Sequence, residues 1–427
     1  MGEILDFAER AWQGALAETQ VHPGRVKVGL EELDSGLAFV SAFSNMAVLE
    51  GPEGLCFFDT SSLFHAKAIF ALVRDWTPSR LATAVYTHGH VDHVFGTRLF
   101  EQEAEDKGWA SVEVIAHEAC PARFDRYQLT NGYNGVINQR QFDFPEPVFP
   151  KNFRYPDRTL REELVLEVGD ETAVLHHDRG ETDDHVWIHL PERKAIYTGD
   201  LFIWASPNCG NPQKVQRYPR EWAQALRKMQ VLDAERLLPG HGPPILGGDR
   251  VRQALGDAAE LIETLFEQTL SMMNAGAKLN DILHSVELPE ALLARPYLRP
   301  TYDDPYYIVR NLWRLYGGWY EGNPATLKPA KDDAVAQAVA QLAGGASAVA
   351  RQAEALAADG ALDVACHLIE FAANAEPTNA EIHGVRADLY RARAKDELSL
   401  MGKAIYTAAA RDSAAMGGAD APNDEAS

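Results

Sequence analysis

The chain has 427 residues and carries 62 acidic against 40 basic side chains, a net charge of −22. A single hydrophobic core rarely grows past about 250 residues, so more than one domain is expected, and 46% hydrophobic with 24% charged residues excludes wholesale disorder. The acidic balance repels phosphate backbones and anionic membrane surfaces, which argues against nucleic acid or a membrane as partner; a small anionic substrate would need a local positive centre such as a metal site.

Residues 1–24 read as an amphipathic helix that ends at Pro23 and Gly24. The opening "MGEILDFAERAWQGALAETQ" lacks the basic and apolar regions of a signal peptide, and the chain has no run of about eighteen apolar residues. These features lead us to expect a soluble, cytoplasmic protein. Cys56, Cys120, Cys209 and Cys366 are scattered, without a C-x-x-C pair, and read as core thiols.

From 25 to 247, short apolar runs are closed by turn residues: "MAVLE", "GLCFFDTS", "LATAVYT", "VEVIAH", "TAVLHHD", "HVWIHL", "KAIYTGD" and "RLLPGHG". Helical stretches such as "LFHAKAIFALVRDW" and "REWAQALRKMQVL" lie between them, so this half is expected to be α/β, its runs forming strands of a covered sheet. From 248 to 412 the spacing is helical almost throughout and Ala-rich after 333, which predicts an all-α domain. Residues 360–394 resemble one helical hairpin of tetratricopeptide type, which must pack on neighbouring helices. The polar residues 413–427 are expected to be a disordered tail.

The stretch "THGHVDH" holds His88, His90, Asp92 and His93, and imidazole with carboxylate is the ligand set of zinc, with iron or manganese as alternatives. It comes directly after a strand-like run, where open α/β sheets build their sites. A chance match is expected on the order of once in a thousand such chains. His88 and His90 point one way and Asp92 and His93 another, so two ions are the natural reading. Glu181 in "RGETDDH", Asp200 in "IYTGDLF" and His241 in "LPGHGPP" are the further ligand candidates.

This order of motifs resembles that of the metallo-β-lactamase superfamily. The middle motif has Gly180-Glu181-Thr182 where most of that superfamily has a histidine, which resembles the alkylsulfatase branch. Residues 302–330, "YDDPYYIVRNLWRLYGGWYEGNPATLKPA", are similar to the alkylsulfatase dimerisation domain. The resemblance implies an αββα catalytic sandwich followed by an all-α dimerisation domain, with no counterpart of the sterol-carrier-like domain of the longer alkylsulfatases. It further implies one zinc ion on His88, His90 and Glu181, a second on Asp92, His93 and His241, and Asp200 as the bridge.

The chemistry so implied is hydrolysis of alkyl sulfate esters by a homodimer, using a metal-bridging hydroxide, with Asp92 and Asp200 as the catalytic carboxylates. Donors to the ester anion are sought in two segments: Asn131, Tyr133, Asn134, Asn138 and Arg140, and Asn208, Asn211, Lys214 and Arg217. An arginine of that branch has no clear counterpart around "QKV", and Arg140 and Arg217 are the expected substitutes. The bland reading of these residues is polar turn chemistry. His177 and His185, beside the Glu181 turn, are either ligand-orienting or structural. The aromatic run from Tyr302 to Tyr320 is expected to be helix core and dimer contact rather than an alkyl groove. Two rivals remain: a hydrolase of this fold acting on a phosphoester or lactone, and a non-catalytic dimeric binding module.

Overall fold

The computed structural model describes residues 2–17 and 27–416. The helix expected over 1–24 ends at Trp12, and residues 18–24 of that stretch and 417–427 of the expected tail lie outside the described residues. The chain divides into two compact units, Met1–Asn134 with Phe149–Gly318, and Gly135–Val148 with Trp319–Ser427.

The first unit opens with the helix Glu3–Trp12, which buries Ala8 and Ala11. Seven strands then pair in sequence order: β1 Gly29–Asp34, β2 Leu37–Ser41, β3 Met46–Gly51, β4 Gly54–Phe58, β5 Leu81–Val85, β6 Glu113–His117 and β7 Arg158–Leu160. The first four form an antiparallel meander, and β4 to β7 run parallel. The parallel steps need crossovers, supplied by the helices Ala66–Trp76, Thr97–Lys107 and Cys120–Leu129. The second sheet contains β8 Glu163–Val168, β9 Glu171–His177, β10 Val186–Leu190, β11 Ala195–Ile203, β12 Arg236–His241 and β13 Ile245–Leu246, in spatial order 13-12-11-10-9-8. Only β11 and β12 are parallel within it.

The two sheets pack face to face through Phe39, Phe58, Val85 and Ile115 on one side and Leu175, Val186, Ile188, Tyr197 and Leu238 on the other. The outer face of the first sheet is covered by Ile69, Val73, Phe100 and Phe124 of its helices. Over the second sheet, Trp187, Ile196 and Leu237 meet Trp222 and Leu226 of the helix Pro219–Gln230. Helices on both outer faces of a two-sheet core make the αββα layering, and β2, β4 and β11, buried along their whole length, are the strands such covered sheets contain.

The helical region from 248 onward is shared between the two units. The long helix Gly248–Asn274 and the helix Tyr306–Gly317 place Leu255, Ile262, Leu265, Ile308 and Leu312 in the same cluster as Trp187 and Trp222, so they complete the second outer layer. Their apolar stripes need an apolar partner, and the second sheet's helix layer supplies it.

In the second unit, the helices Asp332–Ala343, Ala346–Ala358, Leu362–Ala375, Ala380–Asp396 and Leu400–Met416 pack through Ala353, Ala365, Ile369, Ala372, Ile382 and Leu389. The hairpin read at 360–394 is present as the third and fourth of these, and Asn379 caps its second arm by accepting from the amides of Glu381 and Ile382. Residues 413–416 of the expected tail are helical, because the last helix runs to Met416. Its Ser413 Oγ is held by His383 Nδ1 and Arg386 Nη1, which orders the turn that composition alone read as mobile.

Candidate metal centre

The carboxyl ends of the parallel strands gather the titratable groups. β4 ends at Phe58, and the next residue, Asp59, donates its amide to the Val85 carbonyl of β5, so the two strand-end loops are stitched together. The chain then leaves β5 through Tyr86 and Thr87 into the loop bearing His88, His90, Asp92 and His93. Glu181 lies in the turn after β9, Asp200 within β11, and His241 at the end of β12.

These seven side chains come together in two groups, His88 with His90, Glu181 and Asp200, and Asp92 with His93 and His241, each offering ligand atoms within 4.8 Å of one another. In the first, Glu181 Oε2 stands 3.1 Å from both His88 Nε2 and His90 Nδ1, which are 2.8 Å apart. In the second, Asp92 Oδ2 is 3.7 Å from His93 Nε2 and 3.5 Å from His241 Nε2. Asp200 reaches both: Oδ1 is 3.2 Å from His93 Nε2, and Oδ2 is 3.3 Å from His241 Nε2 and 3.9 Å from His88 Nε2. Glu181 Oε2 and Asp200 Oδ1 are buried and accept no hydrogen bond. Buried carboxylate oxygens without donors are costly unless a cation completes them, so the donor set fits divalent metal.

Glycines make the approach possible. A Cβ on Gly240 would lie 2.2 Å from Asp200 Oδ1, and one on Gly199, at φ 49°, would lie 2.8 Å from Thr87 Cβ and from His185 Cε1. The "TGD" and "PGHG" motifs therefore need glycine for space as well as for backbone.

A second layer fixes the ligands. Asp59, at φ 62° and fully buried, accepts from His93 Nδ1 at 2.7 Å, Thr87 N at 2.7 Å, Thr87 Oγ1 at 2.8 Å and Tyr197 OH at 2.9 Å. His241 Nδ1 bonds the Phe43 carbonyl. Asp184 takes the Gly89 amide between two ligands at 3.0 Å and is paired with buried Arg123 at 2.9 Å. His185 stacks on His88 with ring centroids 4.8 Å apart and accepts the Asp200 amide on Nε2 at 3.1 Å, while His177 Nδ1 bonds the His185 carbonyl. Asp59, Asp184, Arg123 and Thr87 escaped the sequence reading. The signal for Asp59 was present, an acid directly after the apolar run "GLCFF".

Burial pushes the His90 imidazole down to about 4, with Glu181 pulling the other way, so this ring is neutral and able to ligate. Burial opposes charge on Glu181 too, but Arg217 and His90 hold its carboxyl well below the usual range. Burial also opposes charge on His93, yet Asp200, Asp59 and Asp92 together raise its pKa well above the ordinary value. Such an excess of negative charge around an imidazole is what a cation would relieve.

The residues sought as ester-anion donors fall in different places. Residues 131–142 form a helix, not a polar loop: i→i−4 bonding and the buried Gly135 and Ile137 outweigh its Asn and Gly content. On it Tyr133 is 66% exposed, Asn134 Nδ2 bonds Thr130 O and Oγ1, and Asn138 Nδ2 bonds Val148 O. Arg140 belongs to the second unit. Arg217 is 2% exposed, and its Nη1 bonds Glu181 Oε1 at 3.0 Å and the Glu181 carbonyl. Asn208 Nδ2 also donates to Glu181 Oε1, at 2.7 Å. Both side chains are thus engaged with Glu181. Asn211 Nδ2 donates to Asp303 at 3.3 Å, a buried carboxyl that desolvation raises to about 7 against the pull of Arg217. Lys214 is half-buried, and burial followed by Arg217 lowers its pKa to about 8, while Asp92, Glu181 and Asp303 support its charge. Among the described residues no acid forms an ion pair with Lys214. Burial, with Asp303, Asp92, Glu181 and Asp200 adding to it, raises the pKa of the Tyr302 hydroxyl well above its ordinary value.

Residues 43–241 match the family model for the metallo-beta-lactamase superfamily. That region belongs to the superfamily. Residues 278–415 match the alkyl sulfatase dimerisation model, so the two matched regions together are similar to the alkylsulfatase branch. A linear primary-alkylsulfatase of Pseudomonas sp. (strain ATCC 19151) is 25% identical over 321 residues, 70% of this chain and 60% of that protein. An (R)-specific secondary-alkylsulfatase of Pseudomonas sp. is 27% identical over 381 residues, 81% of this chain and 56% of that protein. The chain thus spans less than two thirds of the length of either relative. The solved structure of a stereoselective inverting sec-alkylsulfatase, Pisa1 from Pseudomonas sp., superposes with a TM-score of 0.81 at 24% identity, covering 93% of this chain and 67% of that one. That likeness speaks for the fold. No helix among the described residues is long and apolar enough to cross a membrane.

Proposed function

We propose that this protein is a dinuclear-metal hydrolase of alkyl sulfate esters, holding zinc and working as a homodimer. The observation that carries the reading is the convergence of His88, His90 and Glu181 on one side and Asp92, His93 and His241 on the other of a shared Asp200, in a chain with an alkyl sulfatase dimerisation region. When bound, two divalent ions supply Lewis acidity and make hydroxide accessible from water near neutral pH.

The chain's own residues do the rest. Two divalent ions against Asp92, Glu181 and Asp200 leave a formal charge of +1, matched to a monoanionic ester; Arg217 further offsets Glu181. Lys214 stands as the side-chain cation available to the ester anion, since Arg217 is engaged with Glu181. Asp92, the most exposed of the ligand carboxylates at 22% against 2% for Glu181 and 5% for Asp200, is the one placed to meet water or substrate. The bond cleaved, S–O or C–O, is read by running the reaction in labelled water.

The test combines metal stoichiometry with a panel of dodecyl sulfate, a phosphate ester, a lactone and nitrophenyl esters, with Asp92→Ala as control. Sulfate release from an alkyl sulfate, lost in the variant, is the expected result. Turnover of only the other esters would transfer the fold to a different substrate class. Fewer than one metal per chain with no turnover would leave a binding module.

A further inference from the structure

The two ligand groups differ in their supporting partners. In the group of Asp92, His93 and His241, both imidazoles give their outer nitrogen to an acceptor. His93 Nδ1 bonds the Asp59 carboxylate at 2.7 Å, and His241 Nδ1 bonds the Phe43 carbonyl. Such acceptors raise the basicity of the opposite nitrogen, which here faces Asp200 and Asp92. Among the described residues, two acids, Asp92 and Asp59, stand against no Lys or Arg ion-paired with this group.

In the group of His88, His90 and Glu181 the bias is reversed. Glu181 Oε1 receives Asn208 Nδ2 at 2.7 Å and Arg217 Nη1 at 3.0 Å, and Arg217 Nη1 also bonds the Glu181 carbonyl. A buried guanidinium and an amide therefore draw charge from the one anionic ligand that belongs to this group alone. Its Oε2 is left alone to face the imidazoles. His88 Nδ1 meets only the Thr87 hydroxyl at 3.0 Å, whose own proton goes to Asp59 at 2.8 Å. Leaving Asp200 aside as shared, the formal count is −1 (Glu181) +1 (Arg217) = 0 for this group, against −1 (Asp92) −1 (Asp59) = −2 for the other.

We infer that the two sites bind metal with unequal strength, the Asp92, His93 and His241 site holding its ion more tightly because Asp59 and Phe43 enrich its ligands while Arg217 and Asn208 deplete Glu181. The inference rests on the proposal that the centre holds two ions. It makes a one-metal form, filled at the tighter site, the intermediate of loading and of chelation, with Arg217 and Asn208 as positioning residues that act through Glu181. Partners of this kind typically shift affinity by about tenfold or more.

The experiment is chelator competition on the zinc-loaded full chain, with bound metal counted by elemental analysis, in wild type, Glu181→Gln and Asp92→Asn. Wild type is expected to release two equivalents in two phases about tenfold or more apart in chelator concentration. Glu181→Gln should retain only the tighter phase, at its wild-type position, and Asp92→Asn should retain only the weaker. Release of both equivalents in one phase would overturn the inference while leaving the two-ion reading intact, as would a Glu181→Gln protein that keeps only the weaker phase. A wild-type protein that never holds two equivalents would overturn the two-ion reading itself.

Discussion

Replacing Asp59 by Asn exchanges one carboxylate oxygen for an amide nitrogen, and the hydrogen-bond geometry decides which partner suffers. Oδ1 accepts only the Thr87 amide and can remain a carbonyl oxygen. Oδ2 accepts from Thr87 Oγ1, His93 Nδ1 and Tyr197 OH, so an amide nitrogen there would meet three donors. The two hydroxyls can rotate and accept instead. The imidazole can do so only by moving its proton from Nδ1 to Nε2, the nitrogen 3.2 Å from Asp200. A protonated Nε2 cannot ligate, and the loss of an acceptor behind a ligating histidine costs roughly 10- to 100-fold in metal affinity, or about 1.4–2.7 kcal/mol. Chelator competition at neutral pH, with circular dichroism to show that Asp59→Asn is folded, measures this directly. A folded variant whose competition curve overlies that of wild type would refute the argument that Asp59 sets the His93 tautomer.

Lys214 has its pKa lowered to about 8, so its ammonium is present below that pH and lost as pH rises through it. Turnover of a monoanionic ester should then fall between pH 7 and 9 through a rising KM, and Lys214→Gln should flatten that rise. Because a hydrogen bond to a charged group contributes about 1.5–3 kcal/mol, the variant should raise KM roughly 10- to 100-fold at pH 7 with little change in kcat; steady-state kinetics on one sulfate ester across that range checks both. Gly240→Ala puts a methyl 2.2 Å from Asp200 Oδ1 and should cut bound metal per chain without abolishing the fold, as read by elemental analysis beside circular dichroism. Ile369→Ala, in the fully buried core of the second unit, should cost about 2–5 kcal/mol of that unit's stability, measured by urea unfolding, with metal content unchanged.

The seven candidate ligands could be named from the chain alone for a physical reason. Each is a His, Asp or Glu beside an apolar run; Asp200 lies within its strand, β11, and the other six at or after a strand end, where a buried sheet turns out toward solvent. The same logic gave the α/β half, because β2, β4 and β11 are mostly apolar and are buried along their whole length. Local pattern failed where a residue's partner lies far along the chain. Arg217 looked like an anion donor until its guanidinium was seen against Glu181, 36 positions away. Asp59 was not singled out, because Tyr197, 138 positions on, and His93, which donate to it, are brought there only by the fold.

Composition likewise misread the helix Asn131–Phe142, whose Asn and Gly favour turns in isolation but whose Gly135 and Ile137 are buried by the fold. The helices Gly248–Asn274 and Tyr306–Gly317 were legible as helices from their periodicity, since a 3.6-residue apolar repeat states that a face is buried. It cannot state against what, and only the packed structure places that face over the second sheet with Trp187 and Trp222 and sets Asp303 against Asn211. Residue type and spacing thus determined which side chains are candidate ligands, whereas burial and long-range partners decided what surrounds each of them.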